Sequence, residues 1–329
     1  MQEFNGTLAE LQELLTKAGC LLIIALAGLA PVAHADFRQW EEAMERGDYK
    51  GAVAACIGPA QAGDRECESA MGQAHYLGLG VKLDHEEAFK WYRKAAEHGS
   101  AAAQNNLAAM YGKGHDIARD DSKAIMWYRN AAKQGLSNAQ HNLGVAYMEG
   151  RGVARNAAEG VSWFRKAAEQ ELAKAQYDLA NAYAQGEGVD RNEAESMTLL
   201  RKAADQEYDS AQYTLGVMYR EGVGVARNDT EAFTWFRKAA EQGNADAQDR
   251  LSSMYRKGEG IARDYVEAYC WTAIAADRGN ANSQHNLRHF EKIMTPEQIA
   301  QAKHLVRQWK PRPSRNTGES LLFSPMSTK

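Results

Sequence analysis

Between Ser100 and Tyr111 the apolar or small residues Ala103, Leu107, Ala108 and Tyr111 fall at i, i+4, i+5 and i+8. That is the spacing of one helical face, not the alternation of a strand. A Gly-rich break follows such helices, seen as Gly150/Gly152, Gly186/Gly188, Gly222/Gly224 and Gly258/Gly260, each trailed by a β-branched residue (Val153, Val189, Val225, Ile261). Glycine permits the positive φ of a helix end. A second helix then starts at an Asx residue, Asp84, Asn156, Asn192, Asn228 or Asp264, with a glutamate three residues on at Glu87, Glu159, Glu195, Glu231 and Glu267. This spacing predicts a capping box, in which the cap side chain takes one orphan N–H and the N3 carboxylate reaches back for another, and each cap contributes about 0.5–2 kcal/mol. Within the second helix Ala88, Trp91 and Ala95 lie at i, i+3 and i+7, so one face alternates small and bulky groups. Small residues let neighbouring helices approach, and the aromatic ring fills the remaining gap.

The same two-helix pattern recurs every 36 residues. From Trp91 that step reaches Trp127, Trp163, Leu199, Trp235 and Trp271. From Gln104 it reaches Gln140, Gln176, Gln212, Gln248 and Gln284, and from Leu107 it reaches Leu143, Leu179, Leu215, Leu251 and Leu287, both without a break. A fixed period of this length marks a repeat architecture, in which each hairpin lacks a core of its own and neighbours supply it by stacking. The expected fold is therefore all-α, an α/α solenoid of helical hairpins. The repeat also disposes of a phosphate-binding reading for Gly78-x-Gly80, because that pair lies between two helices, follows no strand and recurs along the chain.

The combined pattern, A-x-x-L-G-x-x-Y-x-x-G-x-G-V followed by an Asx-capped A-x-x-W-x-x-K-A-A, resembles the Sel1-like repeat family, a branch of the tetratricopeptide superfamily. The resemblance covers residues 65–280 as six copies. Residues 36–64 read as N-terminal capping helices in the same register, and 281–310 as C-terminal capping helices, with Thr295 at the N-cap, Pro296 at N1 and Gln298 at N3 of the last. The Pro/Ser/Arg-rich segment 311–329 is expected to be a disordered tail. Several positions depart from the family pattern. Leu199 replaces Trp, Glu171 and Glu207 replace an inter-repeat Gly, Asp116 replaces a turn Gly, and Gly160 and Ser196 replace Ala. These are expected to lower stability or alter curvature in the middle of the array.

Composition changes this picture little. A net charge of -4 and a pI near 6.2 give no basic stripe for nucleic acid. The N-terminus matters more. The apolar run "AGCLLIIALAGLAPVAHA" is short for a membrane span and suits a signal-peptide core, with Ala33, His34 and Ala35 supplying a small-x-small cleavage site. Residues 1–35 are thus expected to be a signal peptide, cleaved after Ala35, and the protein periplasmic or secreted. The acidic stretch ahead of the run is a poor n-region, which a start written too far upstream would explain. Cys56 and Cys67 flank the first helix-to-helix junction and could pair in an oxidising compartment, while two small buried thiols is the alternative; Cys270 has no neighbour in sequence.

What the resemblance implies is a non-catalytic scaffold whose superhelix offers a surface to a protein or peptide partner. Two ladders in the first helices vary where the core ladders do not. Asn105, His141, Tyr177, Tyr213, Asp249 and His285 form one; Asn106, Asn142, Asp178, Thr214, Arg250 and Asn286 form the next. Of these, Asn105, Asn106, His141, Asn142, Tyr177, Tyr213, Asp249 and His285 are the candidate partner-binding residues, since Tyr gives contact area at low entropy cost and Asn both donates and accepts. Solvated surface is the bland alternative for any one of them. No catalytic residue, cofactor or metal is expected. His285 and His289 stand at i, i+4 without an HExxH motif or third ligand. Two other functions stay open. Cysteine-rich secreted relatives are linked to β-lactam binding or hydrolysis, although they carry a cysteine pair in each repeat, and an uncleaved N-terminal segment would make a membrane-anchored regulator of an envelope complex.

Overall fold

A computed structural model describes residues 36–114, 117–277 and 281–312. The expected signal segment 1–35, Asp116 and all of the expected tail beyond Arg312 lie outside them. Among the described residues there are sixteen helices and no strand, in two compact units that divide after Gln134. The first holds α1 (36–45), α2 (Tyr49–Gln61), α3 (Arg65–Leu77), α4 (His85–Glu97), α5 (Ala101–Lys113) and α6 (Asp121–Lys133). The second holds α7 (Ser137–Glu149), α8 (Ala157–Glu169), α9 (Ala173–Gln185), α10 (Glu193–Asp205) and α11 (Asp209–Glu221). It continues with α12 (Asp229–Gln242), α13 (Ala245–Lys257), α14 (Tyr265–Asp277), α15 (Ala281–Ile293) and α16 (Pro296–Gln308). Each unit is a stack of hairpins of the α/α-solenoid class.

The helix ends follow the chain's punctuation, with one correction. First helices close on a left-handed glycine, from Gly78 (φ 68°) to Gly258 (φ 76°). Gly260 meets a second constraint: a Cβ there would lie 2.1 Å from the Asp229 carbonyl oxygen of the preceding hairpin, so the turn needs glycine for space as well as for φ. Second helices start on Asp84, Asp120, Asn156, Asn192 and Asn228, each accepting from the N3 backbone N–H. The reciprocal half of the predicted box is not made there. Glu159 instead accepts from Trp163 Nε1 at 2.9 Å, and Glu87 takes the Lys90 ammonium at 3.0 Å. The cap's own N–H is already taken: Asp84, Asp120, Asn156, Asn192 and Asn228 each donate through it to the carbonyl nine residues back at 2.8–3.0 Å, so it has no need of the side chain at N3. The Thr295/Gln298 box at α16 closes in both directions.

The glutamine ladder has a structural role that its periodicity alone did not reveal. Gln104, Gln176, Gln212 and Gln248 are buried, and each donates through Nε2 to an alanine carbonyl eight residues back. Four rungs also join the next hairpin corner: Gln134, Gln170, Gln206 and Gln242 donate to Gln104, Gln140, Gln176 and Gln212 at 2.7–2.8 Å. Buried amides with both ends satisfied fix the register of one hairpin on the next. The first rung differs, with Glu68, 2% exposed, paired to His98 Nδ1 at 2.7 Å.

Within a hairpin, small residues on the first helix receive a ring from the second. A Cβ on Gly144 or Gly216 would stand 2.6 Å from Phe164 or Phe236. Where the first helix has Ala180 instead, the partner shrinks to Leu200, and where it has Ser252 the partner is Thr272, the two hydroxyls hydrogen-bonded. Gly160 belongs to the same device, since a Cβ there would meet Met148 at 2.8 Å and the Gly144 carbonyl at 3.0 Å. Its departure from alanine lets α7 and α8 cross closely.

Leu107, Leu143, Leu215 and Leu251 are fully enclosed, and burial of this size stabilises by about 1.5–3 kcal/mol per side chain. Trp91 and Trp271 are buried, whereas Trp127, Trp163 and Trp235 are half-exposed. A lysine one turn on covers the outer ring face, as in Lys166 over Trp163 at 3.9 Å and Lys238 over Trp235 at 4.1 Å. Trp309, just past α16, stands edge-on to Trp271. In the first unit, Cys56 and Cys67 form a disulfide that ties α2 to α3 beneath Trp40 and Met71. Cys270 is a free, buried thiol.

Candidate interaction face

The fifth and sixth residues of each first helix carry the candidate ladders. In the first unit they are packed away: Asn105 is 3% exposed, and its Nδ2 donates to the Asn106 side-chain oxygen at 3.3 Å. In the second unit a fifth-position side chain reaches the sixth position of the next first helix. His141 Nε2 lies 2.7 Å from Asp178 Oδ2, and its ring stacks on Phe164 while Nδ1 faces Asn142 Oδ1 at 3.4 Å. Tyr213 repeats the arrangement with Arg250, whose guanidinium is pushed above its ordinary range first by that hydrogen bond. Asn142, Tyr177, Tyr213 and Asp249 are half-buried, His141 is buried and His285 is exposed.

Three further residues complete the face. Tyr208 packs against Tyr177 with ring centroids 5.4 Å apart. Its hydroxyl is pushed up to about 12 by burial and then by the Asp178 charge. Lys174, half-buried beside this pair, is pushed down to about 8 by burial, with Asp178 opposing. Asp178 is engaged by His141, and Lys174 itself has no hydrogen-bond or ion-pair partner among the described residues. A signal for Tyr208 was present in the 36-residue step: Ser100, Leu136, Leu172, Tyr208 and Asn244 occupy one position. Ser100 and Asn244 cap their helices, whereas Leu136, Leu172 and Tyr208 provide no side-chain cap. In the middle repeats an apolar side chain at the edge of the face has displaced a cap.

The backbone there is also strained. Glu171 and Glu207 hold φ of 61° and 64° where Gly99, Gly135 and Gly243 sit in other repeats. A left-handed non-glycine residue costs about 1–2 kcal/mol. Among the described residues no group of three His, Cys, Asp or Glu could hold a metal ion, and no helix is long and apolar enough to cross a membrane.

Hairpins of fixed length, stitched by buried amides, define an α/α solenoid of the tetratricopeptide-like class. Within that class the chain belongs to the Sel1 repeat family, whose model matches residues 65–100, 101–136, 137–172, 173–208, 209–244 and 245–280. Among solved structures it is similar to the Sel1 repeat protein from Oxalobacter formigenes, with 30% identity, 73% of this chain and 96% of that chain covered, and a TM-score of 0.67. It is also similar to c5321, a protective antigen of uropathogenic Escherichia coli strains with an SLR fold (27% identity, 92% and 82% covered, TM-score 0.38). A further similarity is to the immunity protein PA5088 from Pseudomonas aeruginosa (23% identity, 63% and 81% covered, TM-score 0.47). No curated protein sequence matches significantly. Sel1 repeat proteins are typically protein–protein interaction scaffolds and generally non-catalytic.

Proposed function

We propose that this chain is a non-catalytic adaptor of the bacterial cell envelope, holding a protein or peptide partner on the first-helix face of its second unit. The observation that carries the reading is the cluster around Tyr177: two tyrosines in contact, a half-buried lysine with no partner, and helix starts where an apolar side chain stands in place of a cap. Strain and lost caps concentrated on one face are what a binding surface costs a scaffold. The Cys56–Cys67 bond supports an oxidising compartment, and with it export. The test is recovery of partners from envelope extract by the purified protein and by its Tyr177→Ala and Tyr213→Ala variants, with folding checked by circular dichroism. Both variants are expected to lose the same specific partner. Unchanged recovery in both removes this face from consideration, and mature protein retaining residues before Asp36 in a membrane fraction argues for an anchor.

A further inference from the structure

At the far end of the same face, α13 and α15 enclose a cleft of about 190 Å³. Whole small-molecule sites run to roughly 300–1,000 Å³, so this volume suits one side chain. Asp249, Ser253 and Arg256 line it from α13, Asn286 and His289 from α15, with the buried Phe290 ring as its floor. Among the described residues Asp249, Arg256, Asn286 and His289 have no hydrogen-bond or ion-pair partner. Elsewhere Arg119, Arg227 and Arg237 each hold a carboxylate of their own segment.

The same position one repeat back shows how such an arginine is used. One repeat earlier, Arg220 occupies the position of Arg256 and donates to Glu259, 39 residues on, at 3.1 Å. The residue 39 beyond Arg256 is Thr295, the N-cap of α16, which has no charge. Arginine stands at this position in these two repeats alone, after Gly112, Met148 and Ala184, and the second guanidinium lacks the acid that the first one holds. Along the helix, Arg256 stands two turns, about 10 Å, from Asp249, so the cleft is polar end to end, cationic at Arg256 and anionic at Asp249.

We infer that the α13–α15 cleft receives an acidic side chain, a glutamate or aspartate, from within the bound partner segment. Its carboxylate meets Arg256 as Glu259 meets Arg220, with the His289 N–H, the Ser253 hydroxyl and the Asn286 amide as further donors, and Asp249 accepts a backbone N–H of the same segment. Charge-assisted, forked contacts of this kind discriminate strongly against the neutral amide. The inference rests on the adaptor reading and adds the partner's chemistry to it.

The experiment uses the full mature chain and three probes: acetyl-Gly-Gly-Glu-Gly-Gly-amide, its glutamine counterpart, and acetyl-pentaglycine with a free C-terminal carboxylate. Binding is followed through the Arg256 Nε and His289 imidazole NMR signals. The glutamate peptide is expected to shift both with a Kd on the order of millimolar, as suits one anchor group, and Arg256→Gln, an exposed substitution, to weaken it about tenfold or more. Equal response to glutamate and glutamine peptides, response to none, or response only to the free-terminus peptide overturns the assignment. If it fails while Tyr177→Ala and Tyr213→Ala still lose the partner, the adaptor reading stands and the subsite alone falls. Partner retained by both tyrosine variants, with the glutamate peptide bound, keeps the subsite and removes the Tyr177 face.

Discussion

Lys174 is the residue whose environment most clearly opposes its charge. Burial lowers it to about 8, and its nearest carboxylate, Asp178, is held by His141. The folded value lies below the unfolded one, so between pH 8 and the ordinary lysine range the unfolded chain binds more protons than the native protein. Stability from this site is therefore reduced at neutral pH and recovers as pH rises through that window. Lys174→Met keeps the aliphatic stem and removes the charge. It should raise the urea midpoint at pH 7, and the gap between variant and wild type should close toward pH 10. Parallel curves across that range would mean the ammonium is solvated and the face is not primed at this point.

At the scale of the helix pair, the crossing is set by matched volumes. Gly216→Ala would ordinarily stabilise a helix by about 1 kcal/mol, but here the new methyl meets Phe236 at 2.6 Å. Overpacking costs about 1–3 kcal/mol, so the steric effect should win and the variant should lose stability. Adding Phe236→Leu reproduces the Ala180/Leu200 pair that the chain already uses and should recover most of the loss. A double-mutant cycle with no coupling would show that the two positions do not share one space. The helices themselves were legible in the sequence because the 3.6-residue stripe, the turn glycines and the Asx caps all agree. The glutamine rungs were visible as a ladder yet unreadable as bonds, since their partners, Gln134 to Gln242, sit 30 residues away on the helix corners. The candidate face was legible only in part. Variability marked Tyr177 and Tyr213, but it marked the enclosed Asn105 and Asn106 equally, because a buried amide pair in one repeat and an open tyrosine in another look alike as departures from a period.

For the whole molecule, an array of this kind stands on local contacts, so its ends need other support. The two units answer that need differently. In the second, α16 lays Trp309 on Trp271, and the chain beyond it returns through Arg312, whose backbone N–H donates to the Glu241 carbonyl at 2.8 Å. In the first, α2 carries Pro59 in its last turn and is secured to α3 by the Cys56–Cys67 bond. A loop of this length contributes roughly 3 kcal/mol by restricting the unfolded chain. Removing the bond in a Cys56→Ala/Cys67→Ala variant should therefore unfold the N-terminal cap at lower denaturant. Stability in a stack decays with distance from the change, so hydrogen exchange should quicken in α2 and α3 and stay unchanged in α9 to α12. Uniform acceleration through both units would mean that the chain unfolds as one cooperative body, and the partner face could not then be treated as independent of the redox state of the cap.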